Sequence, residues 1–158
     1  MSNNENERRL SRRDLLVAAG TGLVAVAGIA LAPRAALAAE GEADKLMADL
    51  IGATKPAEGK ITLTIPELAE NGGAVPVGIS VESPMTDKDY VKAIHIISEG
   101  NPTPNVASYT LSPACGKASI NMRMRMAKSQ KVRVVAVMSD GSAYIARKDV
   151  KVTTGGCG

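Results

Sequence analysis

The sequence predicts an all-β domain: an antiparallel sandwich of about seven short strands, preceded by a short helix and followed by a glycine-rich tail. Three observations carry this. After Pro56 the apolar residues recur at every second position, the period of a strand with one buried face. The alternating runs are short and are separated by turn signals at Asn71-Gly72-Gly73, Gly100-Asn101-Pro102 and Asp140-Gly141. With no Trp, no Phe and three Tyr among 158 residues, the core must be filled by aliphatic side chains and methionine.

The first segment reads as an export signal, not as part of the fold. Ser11-Arg12-Arg13-Asp14-Leu15-Leu16 carries a twin arginine, an apolar stretch runs from Leu15 to Ala32, and Ala36-Leu37-Ala38 has the small-x-small pattern of a signal-peptidase site. The expectation is a Tat signal over residues 1–38 and delivery of a folded chain to the periplasm. An uncleaved anchor is the alternative, since the run nearly reaches spanning length. Cleavage after Ala38 leaves residues 39–158, enough for one modest domain. It also removes Arg8, Arg9, Arg12, Arg13 and Arg34 together with Glu5, Glu7 and Asp14, so the remainder has a net charge near +1. With few aromatic residues for bases to stack on, nucleic-acid binding is not expected.

The domain, residues 39–154, opens with Ala43, Leu46, Met47 and Leu50 at helical spacing, and Gly52 ends that helix. Ile61, Leu63 and Ile65 form the first strand, closed by Pro66. Val75, Val77, Ile79 and Val81 form the second, broken by Pro84. A third runs from Tyr90 to Ser98, and a fourth from Val106 to Leu111. Ala118, Ile120, Met122, Met124 and Met126 share one face of the fifth. Val132, Val134, Ala136 and Met138 share one face of the sixth. Asp140-Gly141 is the strongest hairpin signal, and it leads into a last strand from Ala143 to Thr154. Seven such strands with turns between them fit an immunoglobulin-like sandwich.

Little in the domain suggests chemistry. His95, the one histidine, sits in a strand with no partner base or cleft in view, and a structural or partner-facing role is expected. Met122, Met124 and Met126 offer soft thioethers, but their period of two is that of a core face. Arg123 and Arg125, with Lys117, Lys128, Lys131 and Arg133 nearby, read as a solvated basic surface. No GxSxG, HExxH, CxxC or phosphate-loop pattern occurs, and no cofactor or metal is expected.

The tail is different. In Gly155-Gly156-Cys157-Gly158 a thiol stands on an unbranched arm at the chain's end, a position that favours access over burial. Access is what thiolate chemistry requires. Cys115 complicates this, because two cysteines in an oxidising compartment can pair. A Cys115–Cys157 staple would make the protein a structural binding or adhesion module instead. A thiol-redox enzyme is a third reading, and no activating base accompanies Cys157 to support it.

The stretch from Gly59 to Gly72, GKITLTIPELAENG, resembles the SoxY family of sulfur-compound carriers in the Sox sulfur-oxidation pathway. So do Ser83-Pro84-Met85-Thr86, Tyr90-Val91-Lys92, Ile94-His95-Ile96, Glu99-Gly100-Asn101-Pro102, Met138-Ser139-Asp140-Gly141-Ser142 and the Gly-Gly-Cys-Gly tail. The family's tail carries one further glycine, and Cys115 departs from its pattern. The resemblance implies a non-catalytic carrier whose tail thiol, here Cys157, is loaded with thiosulfate by the SoxAX haem protein. It further implies processing by the hydrolase SoxB and a sulfane dehydrogenase, with Gly155, Gly156 and Gly158 forming a thin swinging arm. It implies a heterodimer with SoxZ, a second β-sandwich protein without its own signal, which would be exported with this chain.

Overall fold

The computed structural model describes residues 32–156. The twin arginine and the apolar run after it lie outside the described residues, as do Cys157 and Gly158. The chain divides into two compact units, Met1–Leu37 and Ala38–Gly158, and the first lies almost wholly outside the described residues.

Helix α1 spans Ala32–Ile51. Its alanine-rich start lets it begin well before the amphipathic pattern does, since alanine is the best helix former. Within the pattern, Ala43 is fully buried and Leu46, Met47 and Leu50 are half-buried, while Glu42, Asp44, Lys45 and Asp49 are exposed. Gly52 follows at φ +68°, a conformation that ends a helix without a side-chain penalty.

Among the described residues nine strands follow: β1 Ala57–Glu58, β2 Ile61–Thr64, β3 Leu68–Asn71, β4 Val75–Val81, β5 Val91–Ser98, β6 Asn105–Thr110, β7 Ala118–Met124, β8 Gln130–Met138 and β9 Ala143–Thr154. Seven of them are the expected strands. The two additional ones, β1 and β3, are short and both pair in parallel with β9. The larger sheet has the order β1-β9-β8-β5-β6, with β3 also on β9, and the smaller is β2-β4-β7. All other pairings are antiparallel.

The sheets bury their alternating faces against each other, as a sandwich must. The smaller contributes Val75, Val77, Ile79, Val81, Ala118 and Met124. The larger contributes Ile94, Ile96, Val132, Val134, Ala136 and Met138. Strand β8 lies inside its sheet and is buried on both faces, so Arg133 and Val135 are as inaccessible as the core positions between them. Arg133 is 6% exposed and its guanidinium is held by Glu99 and by Asp44 of α1. Burial alone would lower its pKa, but hydrogen bonds and charge from the two carboxylates outweigh that and raise it. The β8–β9 hairpin turns at Asp140-Gly141 as expected, with Gly141 at φ +84° and Asp140 Oδ1 accepting from Ser142 N at 2.8 Å.

Candidate functional site

The tail leaves the sandwich at the end of β9, and the backbone there is closely packed. Asn71 pairs with Thr154 in the parallel β3–β9 ladder, which brings the turn Gly72–Ala74 beside the start of the tail. Gly73 N donates to Asn71 Oδ1 at 2.7 Å and fixes that turn. Met126, just past the end of β7, joins the two: its N–H donates to Gly72 O at 2.8 Å, and its carbonyl accepts from Gly156 N at 3.0 Å. The three backbones of 72, 126 and 156 therefore form one hydrogen-bonded rung.

The segment carrying Met126 is itself braced. Asn101 Nδ2 donates to Arg125 O at 2.8 Å, and Asn101 Oδ1 accepts from Ala127 N at 3.0 Å and from Gln130 Nε2 at 2.9 Å. Gln130 Oε1 accepts in turn from Ser98 Oγ and Gly100 N, each at 2.5 Å. Ser129 Oγ accepts from Val152 N at 2.8 Å, tying the same loop to β9. Every polar group in this network has a partner, which gives the loop one arrangement.

Of the residues expected to form the arm, Gly155 and Gly156 are described. The sequence assigns them slenderness and torsional freedom; in the structure they fill a space with no room for a side chain. A Cβ on Gly155 would lie 2.2 Å from Ala127 O, and one on Gly156 would lie 2.7 Å from the carbonyl carbon and oxygen of Gly72. Cys157, the expected attachment residue, and Gly158 lie outside the described residues.

Cys115 is exposed and free, on the short 3-10 turn Pro113–Cys115 that precedes β7. Gly156 is bonded beyond the opposite end of β7. Seven strand residues separate the two ends, a distance of roughly 20 Å, against a Cα separation below about 7 Å in any disulfide.

The remaining features follow their structural readings except at Arg133, which was expected on the solvated basic surface and is instead buried and paired with Glu99 and Asp44. Met124 and Met126 are buried in the core, and Met122 is half-buried with Tyr109 Oη 3.6 Å from its sulfur. Arg123, Arg125 and Lys128 are exposed. His95 Nδ1 lies 2.8 Å from Ser108 Oγ on the neighbouring strand β6. Partial burial lowers its pKa below the usual 6.5, so the imidazole is neutral at neutral pH. Neither side chain lines a described pocket. A groove of about 600 Å³ crosses the outer face of β2-β4-β7 between Thr62, Gly78, Ser80 and Asn121, and Arg123 is its sole ionisable lining residue. Among the described residues no group of three or more His, Cys, Asp or Glu is placed to hold a metal ion, and no helix is long and apolar enough to cross a membrane.

The model of the family described as "Sulfur oxidation protein SoxY" matches residues 47–157. Among solved structures, the sulfur carrier protein SoxY from Chlorobium limicola f thiosulfatophilum aligns with a TM-score of 0.62 and 34% identity, over 72% of this chain and 98% of that one. A putative superoxide reductase from Thermotoga maritima aligns at 0.53 and 14% identity over 63% of this chain and 93% of that one. A superoxide reductase from Ignicoccus hospitalis aligns at 0.50 and 16% over 61% and 82%. At such identities these two share the fold alone. No curated protein matches the sequence significantly. The family match covers most of the chain, and the solved relative is matched over nearly its whole length: the chain belongs to the SoxY family of sulfur carrier proteins.

Proposed function

We propose that the chain carries sulfur intermediates covalently on the Cys157 thiol during the oxidation of thiosulfate to sulfate, and catalyses no step itself. The observation that supports this above all is the Gly-Gly-Cys-Gly tail leaving the end of β9, in a chain whose family is that of the sulfur carriers.

The chemistry suits a thiol on an arm. The SoxAX haem protein couples the Cys157 sulfur to the sulfane sulfur of thiosulfate; the thiol proton is released and two electrons pass to the haem protein. The product is a cysteine S-thiosulfonate. SoxB adds water across the terminal S–S bond, releasing sulfate and leaving a persulfide. A sulfane dehydrogenase oxidises the outer sulfur to a sulfonate, drawing electrons and taking oxygen from water, and SoxB hydrolyses again to restore the thiol. Each enzyme needs the same sulfur in its own site, so the carrier must offer it from an exposed point. Cys115, the described cysteine, is exposed and free.

In this reading residues 1–38 are a Tat signal, the mature chain works in the periplasm, and a SoxZ-like subunit forms a heterodimer with it and is exported alongside. The experiment is Cys157→Ser in a reconstituted system. A hydroxyl cannot form the S–S linkage, so thiosulfate-dependent turnover should vanish while folding and partner binding remain. Full activity of the variant would end the proposal.

A further inference from the structure

The tail glycines make their close contacts with residues more than eighty positions upstream and with a loop from another strand pair. A Cβ placed on Gly72 would lie 2.3 Å from Met126 O, 2.7 Å from Gly156 N and 2.9 Å from Val152 Cγ1. Two of those three atoms are backbone and cannot rotate aside. The clashes at Gly155 and Gly156 are likewise with backbone, of Ala127 and of Gly72 and Gly73. None of Gly72, Gly155 and Gly156 has a left-handed φ, so their backbone conformations are open to any residue. Glycine is required there by space, not by torsion. Chain on chain at this distance is a docked arrangement, and the 3.0 Å bond from Gly156 N to Met126 O closes it.

We propose that Gly72 is a positioning residue of the carrier arm: with Met126 and Ala127 it forms a backbone seat that holds Gly155 and Gly156 against the sandwich. The purpose assigned to the seat rests on the carrier reading; its existence does not. Asn101, Gln130 and Ser129 hold one side of the seat in place, and the Asn71 cap and the β3–β9 ladder hold the other. The arm is thus anchored at two of its four residues.

The test uses the full-length mature chain, uniformly labelled with 15N, in complex with its partner subunit. Amide exchange and 15N relaxation are read at Gly155 and Gly156 in the wild type, Gly155→Ala, Gly72→Ala and the control Gly41→Ala, whose added methyl meets open space. In the wild type the Gly156 amide should exchange at least about tenfold more slowly than in a free peptide, as a bonded group does. Its relaxation should match that of β9. Gly155→Ala should abolish that protection and give Gly156 the relaxation of a free end, with β5 and β8 amides unchanged. Gly72→Ala should do the same from the other side of the contact, and Gly41→Ala should change nothing. Because Gly155 belongs to the tail, its variant decides the question even where Gly72→Ala fails to fold. Free-peptide exchange at Gly156 in the wild type, or full protection in Gly155→Ala, would overturn the seat. Loss of the carrier reading through Cys157→Ser would leave these measurements untouched, so the two failures are distinguishable.

Discussion

Asn101→Ala removes the bracket that holds the Arg125–Ala127 segment, and its cost can be worked from the bonds it makes. Three are lost: to Arg125 O, from Ala127 N and from Gln130 Nε2. Each contributes about 0.5–1.5 kcal/mol net. The first is exposed to water, which replaces it in part, and the other two are partly buried. Releasing the ordered side chain returns some entropy, leaving a loss of about 2 kcal/mol. For a domain of this size that is a fall of roughly 6–12 °C in Tm. Thermal and urea unfolding of the wild type, Asn101→Ala, Gln130→Ala and the double variant would measure it. Because the two side chains share a bond, the double variant should cost less than the two singles together by about 1 kcal/mol. A loss below about 0.5 kcal/mol for Asn101→Ala, or strict additivity, would refute the claim that this pair organises the loop.

Other outcomes follow from the same contacts. Glu99→Gln should destabilise the domain by about 2 kcal/mol, since it strips charge from a buried guanidinium; Asp44→Asn should cost less than about 1 kcal/mol, because Asp44 is 61% exposed. Urea midpoints separate the two, and equal losses would contradict this ranking. The folded-state pKa of His95 is depressed, so the unfolded chain takes up its proton first as pH falls. The histidine's contribution is therefore whole above about pH 6.5 and declines below it, and His95→Gln should flatten that part of the stability–pH curve. An unchanged slope between pH 5 and 7 would refute it. Cys115→Ser should leave sulfur loading of the carrier intact, as read by intact mass of the thiosulfate-treated complex; loss of the adduct with folding preserved would make Cys115 a participant.

Much of the fold was legible because most strands declare themselves locally. Val75–Val81 alternates cleanly, and both it and Ala143–Thr154 begin and end where expected. Strands β1 and β3 were missed for a physical reason. They are two and four residues long, mostly exposed, and exist because β9 offers them an edge; a strand defined by a distant partner has no period of its own. The double burial of β8 was hidden likewise, since Arg133 looks like a surface residue until Glu99 and Asp44 are placed on it. At the tail, the glycine run marks the residues expected to form an arm. That Asn71-Gly72-Gly73, read as an ordinary turn, lies against the arm's base required the parallel β3–β9 register.

The rung joining Gly72, Met126 and Gly156 also sets a length. With the tail seated, one residue separates the last bonded amide from Cys157, a reach of roughly 3.5 Å before the side chain is counted; drawn out from Thr154, the same thiol reaches roughly 10 Å. The difference is guarded by a single hydrogen bond and a backbone contact, on the order of 1 kcal/mol. On the proposed carrier function, a shallow catalytic pocket could take the sulfur from the seated tail, whereas a deep one must first draw the tail out, at a cost that a few contacts along the channel recover. Under that proposal, channel depth, not affinity for the sandwich alone, ranks how strongly each enzyme that takes up the tail must hold the same peptide.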